Sequence, residues 1–186
     1  MNNKSFGKSF RRLLGLIAFI ATGGGLIVTT IVNDNSFYKT EILIIFGTLF
    51  IISLVDHFRK VTQLEGKIKL DKRKIYTLLC AFVGVTVTWF INHEMGYGAI
   101  VANGLIGVIA AVSLPNDLAG ITYTSSFIGM SSLAVIPSMG AAVLASLIVG
   151  LILIATVEIY AGIGGKGGTT AALSTIITKT ILNIFG

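Results

Sequence analysis

Long charge-free apolar runs, separated by short polar breaks, set the pattern of this chain. The first run covers residues 13–32, LLGLIAFIATGGGLIVTTIV. A helix that crosses a hydrocarbon layer about 30 Å thick needs roughly 20 such residues, so this run predicts a spanning helix. It follows Lys4, Lys8, Arg11 and Arg12, as a signal peptide would. Yet it exceeds a signal core of about 7–15 residues, and no small-residue cleavage site follows it. An uncleaved first span is the expectation. A shorter run at 41–57, bounded by Glu41 and Asp56-His57, predicts a second span. A third, 75–92, runs into Trp89, Asn92, His93 and Glu94. An aromatic followed by polar groups fits a membrane–water boundary.

Beyond residue 95 the chain is almost continuously apolar and is broken at Pro115-Asn116-Asp117, at Pro137-Ser138 and across Gly162 to Gly168. Proline removes a helical hydrogen bond, and inside lipid every backbone group needs a partner. Turns therefore belong at these breaks, which leaves spans at 97–115, 119–136, 139–161 and 169–185. The expected fold is all-α, a polytopic integral membrane protein of six or seven transmembrane helices. Segments 119–136 and 169–185 are near the lower length limit and rich in Thr, Ser and Gly. Each also fits a re-entrant or broken half-helix. Ala119-Gly120-Ile121 echoes Ala161-Gly162-Ile163, and a small, hydroxylic segment follows each. Two helical-hairpin units, a common plan for transporters, would produce such an echo. Chance in a Gly/Ala/Ile-rich chain explains it equally well.

Composition removes the soluble alternatives. Hydrophobic residues make up 54% of the 186, and charged residues only 12%. Soluble domains carry roughly 25% charged residues. A soluble enzyme, a disordered tail and a secreted disulfide scaffold are excluded on that ground. The net charge of +6 lies wholly in residues 1–94, which hold 12 of the 14 Lys+Arg. With the N-terminus inside, segments 1–12, 58–74, 116–118 and 162–168 carry 12 cations, and the outside segments carry only Lys39. Cations in short loops set orientation, so the expected topology is N-terminus cytoplasmic in a bacterial cytoplasmic (inner) membrane. Because the cations lie in short runs between apolar spans rather than on one face, nucleic acid is not an expected partner. The chain divides into a three-span support region, 1–94, with the basic loop 58–74, and a Gly/Ser/Thr-rich core, 95–186.

Few residues offer chemistry. There is no H-E-x-x-H and no G-x-S-x-G, and the two histidines are far apart. No catalytic residue, metal site or cofactor is therefore expected. The single Cys80 permits no disulfide within the chain and reads as a small apolar residue. Gly164-Gly165-Lys166-Gly167-Gly168-Thr169-Thr170 lacks the spacing of a phosphate-binding loop. Its glycines and the helix start after it form at most a mild anion site beside Lys166, and an inside turn is the plainer reading. Glu158 interrupts an apolar run, but about 12 Å from the middle of its span, where a carboxylate reaches the boundary cheaply. Asn103, an amide in mid-span, wants a polar partner. Thr122, Thr124, Ser125 and Ser126 either line a polar path or bond to their own helix backbone.

Small residues recur every fourth position at Ala99, Asn103, Gly107 and Ala111, and again at Ser138, Ala142, Ser146 and Gly150. Such stripes let helices approach closely in lipid, within one chain or between copies. The expected function is a small channel or transporter for an ion or small solute. Its path would be lined by Asn103, Thr122, Thr124, Ser125, Ser126, Glu158 and Lys166. An accessory or structural subunit of a larger membrane complex is the alternative. Expected partners are the lipid bilayer and a second copy or other membrane subunits. An intramembrane lipid-modifying enzyme lacks a paired acid–base or metal constellation.

Overall fold

The apolar runs that fall within the described residues are helical over most of their length. The computed structural model describes residues 3–33, 44, 48, 72–156, 159–160 and 164–185, and no strand occurs among them. The helices are α1 (Asn3–Asn33), α2 (Lys72–Trp89), α3 (Ala99–Ser113), α4 (Asn116–Gly129), α5 (Met139–Thr156) and α6 (Lys166–Phe185). A π-helical turn, Phe90–Glu94, extends α2. The expected span 41–57 lies outside the described residues apart from Ile44 and Thr48, as does most of loop 58–74. Among the described residues two helices are long and apolar enough to cross a membrane, Lys72–Glu94 and Met139–Thr156.

Local chemistry explains the boundaries. Gly96 and Gly98 hold φ of 71° and 84°, which only glycine adopts without strain, and Gly98 opens α3. Pro115 precedes α4 with φ fixed at −56°, and Asp117 complements the positive end of that helix. Ser138 caps α5 by accepting a hydrogen bond from the Ala141 N–H at 3.2 Å. Both proline breaks therefore fall where the sequence places them. The Gly162–Gly168 break is shorter than expected, because Lys166, Gly167 and Gly168 already form the first turn of α6.

One expected helix is not continuous. Instead of running from 119 to 136, α4 begins at Asn116 and stops at Gly129. Residues 130–138 form irregular turns, with Ser131 N–H donating to Ile128 O and Ile136 N–H to Ser132 O. Fourteen residues reach about 21 Å, too short for a 30 Å layer.

The chain forms two compact units. Residues 1–67 with 156–166 make the first. Within it, Leu16 and Phe19 of α1 are buried with Ile159 and Tyr160. The Phe19 and Tyr160 rings meet edge-on at 4.9 Å, and the Tyr160 hydroxyl donates to Gly15 O at 2.9 Å. Residues 68–155 with 167–186 make the second, which joins α2 to the helices of the C-terminal half. Its core is built from Ala81, Val85 and Trp89 of α2, Ile128 of α4, four small or branched residues of α5, and Ala171 of α6.

Within this second unit α2 and α4 run side by side in the same direction. Arg73 meets Asp117 near one end, Gly84 faces Thr122 and Ser125 in the middle, and Thr88 and Trp89 meet Gly129 near the other. At Gly84 an added Cβ would lie 2.5 Å from Thr122 O, and at Gly129 2.5 Å from Val85 O. Two glycines, one on each helix, thus let the backbones touch, as small residues do at close helix crossings. The Ser138 stripe serves the same end within the chain. Ala142, Ser146 and Gly150 are buried, and Gly150 packs on Leu78 and Ala81. On the α3 stripe Asn103 is buried and Gly107 lies against the Tyr123 ring, whereas Ala111 is exposed.

Candidate functional site

Where α4 stops, its carbonyl groups lose their helical partners, because the last turn of a helix has no N–H groups beyond it. Three side chains from the end of α2 and the π turn bond to one of these carbonyls, Gly129 O, and to two of the irregular segment that follows, Ser131 O and Ile136 O. Trp89 Nε1 donates to Ile136 O at 3.0 Å. Asn92 Nδ2 donates to Gly129 O at 3.3 Å. His93 Nε2 lies 2.9 Å from Ser131 O. Positions 89, 92 and 93 follow i, i+3, i+4 spacing, which gathers side chains on one helix face. Together they clamp the irregular segment 129–136.

The clamp is buried at its base and wetter at its tip. Trp89 is 3% exposed, Asn92 and His93 are partly buried, and Glu94 is exposed. Trp89 thus faces the core of the bundle, where its indole N–H serves a buried carbonyl. The Trp89 and His93 rings lie 5.0 Å apart. His93 Nε2 is also 3.0 Å from Asn92 Nδ2. One ring nitrogen therefore faces an acceptor, Ser131 O, and a donor, Asn92 Nδ2. With its proton on Nε2 the ring donates to Ser131, and with Nε2 bare it accepts from Asn92. The donor and acceptor roles at this nitrogen follow the tautomer of the ring.

All the expected path residues except Glu158 lie among the described residues. Thr122 and Ser125 donate to Leu118 O and Ile121 O of their own helix, both at 2.9 Å. Thr122, Thr124, Ser125 and Ser126 are all buried. Ser125 packs against Gly84, and Thr124 Oγ1 lies against Gly167 at the start of α6. These hydroxyls serve close packing. Asn103 does find a partner: Ser126 Oγ lies 2.5 Å from Asn103 Oδ1 and 2.7 Å from Tyr123 O, and so links α3 to α4. Lys166 is exposed at the first position of α6. Glu158 lies outside the described residues. The structure thus joins Asn103 with Ser126 and brings Thr124 to the α6 start.

A second hydroxyl stripe, unremarked in the sequence, runs along α6. Thr170, Ser174 and Thr178 are buried, with Ser174 donating to Thr170 O at 2.7 Å and Thr178 to Ser174 O at 2.8 Å. Thr88 is the exception to this economy, since its fully buried hydroxyl has no hydrogen-bond partner. No group of three or more His, Cys, Asp or Glu suited to a metal occurs among the described residues.

The fold and the clamp define a class: an all-helical, strongly apolar bundle with one broken helix held by side-chain donors. The chain matches no protein-family model, no curated protein and no solved structure.

Proposed function

We propose that the protein is a polytopic membrane protein that passes an ion or small solute, with the break after α4 as its working element. The observation that carries this reading is the clamp of Trp89, Asn92 and His93 on the carbonyls of 129–136. Irregular backbone among apolar helices persists only against protein or water, and broken helices with bonded carbonyls form ion and substrate sites in transporters. The two-way bonding of His93 gives the break a means of rearranging. Membrane embedding is supported by the outward apolar faces. On α3 alone Ile100 and Val112 are each 83% exposed, with Val101, Leu105, Val108 and Ile109 also exposed. Water would not tolerate so continuous a surface. The cation count of the loops supports a cytoplasmic N-terminus in an inner membrane, with six or seven spans.

A second reading, an accessory subunit of a larger membrane complex, is favoured by one finding: the hydroxyls at 122–126 are used in packing. Reconstitution of the purified chain in liposomes separates the two. Flux of protons, Na⁺, K⁺ or a small organic solute, abolished by Asn92→Ala with His93→Ala while the bundle stays folded, is expected for the first. Absence of flux for every probe, together with a stoichiometric partner on gentle extraction, overturns it in favour of the second.

A further inference from the structure

Between α2 and α3 lies a groove of about 250 Å³ whose lining is almost wholly apolar. Leu79, Cys80 and Val83 form one wall, Ile106 and Ile109 the other. Several of these are half exposed, Leu79 at 54% and Ile109 at 50%, so the groove is open to the surroundings of the bundle. It extends to Ser113 and Leu114, at the end of α3. That end is cationic. Positions 72, 76, 79 and 83 fall on one stripe of α2 at 3.6 residues per turn, which puts Lys72 and Tyr76 in line with the groove wall. Arg73 flanks them, 63% exposed, with its guanidinium 2.8 Å from Asp117, four residues past Ser113. Among the described residues Lys72, Arg73 and Lys74 against Asp117 give this end a formal excess of two positive charges.

We propose that this groove is a binding site for one acyl chain of an anionic phospholipid, whose phosphate sits at Lys72 and Arg73. The inference rests on the membrane reading above but not on transport. An apolar slot takes methylenes and offers a headgroup nothing, whereas the cations at its end attract a negative lipid surface. A zwitterionic lipid gains only the first of these terms. The occupant is thus distinguished by charge complementarity. Tyr76, 52% exposed, stands between the two regions, as amphipathic rings do at headgroup level.

Cys80 lies in the groove wall and is the chain's one cysteine, so it reports occupancy directly. The full chain in detergent is titrated with phosphatidylglycerol or phosphatidylcholine, with retained lipid read by native mass spectrometry and Cys80 by its rate of maleimide alkylation. Phosphatidylglycerol is expected to be retained about thirtyfold better, the scale set by two surface cations, and to slow alkylation. Lys72→Gln with Arg73→Gln should abolish the preference while leaving protection at high lipid. Ile109→Trp, at a half-exposed position, should fill the slot and remove protection by either lipid. Equal retention of the two lipids, a preference that survives Lys72→Gln with Arg73→Gln, or protection that follows protein concentration without lipid each overturns the proposal. The last outcome would assign the groove to a second copy of the chain. Carbonate extraction of cell membranes separates failure of this site from failure of the membrane reading: release of the chain sinks both, and retention without lipid preference sinks the site alone.

Discussion

The two ends of the α2–α4 pair are both polar, and they are built on opposite terms. At one end Arg73 and Asp117 form an ion pair in the open, 63% and 46% exposed. At the other, Trp89, Asn92 and His93 hold three backbone carbonyls, with the indole buried. Between them two glycines bring the helix backbones into contact. The exposed pair exchanges one hydrated state for another and gains little. The clamp serves one buried carbonyl, Ile136 O, and two part-buried ones, and a carbonyl left buried without a partner loses more than any single bond gains. Polar residues at helix ends thus differ in energetic consequence according to what they leave behind when removed.

The largest effect is expected at the contact between the two ends. Gly129→Leu would drive a side chain into Val85 O, the Thr88 Cβ and the Trp89 N, two of them backbone atoms that cannot turn aside. Overpacking of this kind costs about 1–3 kcal/mol or more, and separation of α2 from α4 would also release the clamp. Loss of the folded bundle, read as aggregation or a collapse of Tm in detergent, is the expected outcome. Wild-type stability would mean that the crossing is far looser than these distances. Gly84→Ala, against Thr122 O, should be milder but of the same sign.

Next comes the clamp itself. Each orphaned carbonyl costs about 1–3 kcal/mol, so Asn92→Ala and His93→Ala should each lower stability by an amount in that range. A double-mutant cycle should show coupling, because the two side chains share Nε2. Hydrogen exchange should rise first at Ser131–Ile136, whose own turn bonds are few. Additive losses spread over the whole bundle would show that the segment does not depend on the clamp.

Most of the helices were legible in the pattern, because Pro115 and Pro137 punctuate an otherwise uninterrupted apolar run and act through their own backbone. The end of α4 at Gly129 was not legible. Nothing between Ser125 and Val135 forbids a helix, and the break is stabilised by residues some 40 positions earlier. The clamp was not legible for the same reason: sequence gives the face on which a donor lies, but not the carbonyl it meets. The 89, 92, 93 spacing is the signal that would have pointed to the clamp. Hydroxyls 122–126 have the composition of a path, yet their neighbours Gly84 and Gly167 turn them into packing surface. Asn103 was the polar residue whose need for a partner could be foreseen, and Ser126 fills it.

A smaller and opposite effect is expected at Thr88. Its hydroxyl is fully buried and unpartnered beside Gly129. Valine keeps the branched shape and removes the unmet group, so Thr88→Val should be neutral or stabilising by about 1 kcal/mol. A marked destabilisation would reveal a partner for that hydroxyl. In the flux assay the same variant tests whether a polar group at this depth serves the break, since a stabilised but inactive protein would place Thr88 in the moving part.

The smallest change belongs to the open end. Surface pairs contribute about 0–1 kcal/mol, and solvent screening at these exposures puts Arg73–Asp117 low in that range. The two partners should nevertheless differ. Asp117 sits in the first turn of α4, where a negative charge also meets the positive end of the helix, worth about 0.3–1 kcal/mol at low ionic strength. Arg73 lies in the first turn of α2 beside Lys72 and Lys74, where a positive charge opposes the dipole. Asp117→Asn should therefore cost more than Arg73→Gln, both should stay below about 1 kcal/mol, and both should fade as salt is raised past the Debye regime. A loss from Arg73→Gln as large as that from His93→Ala, insensitive to salt, would remove the distinction between the ends. It would mean that the cationic end is as dry as the clamp.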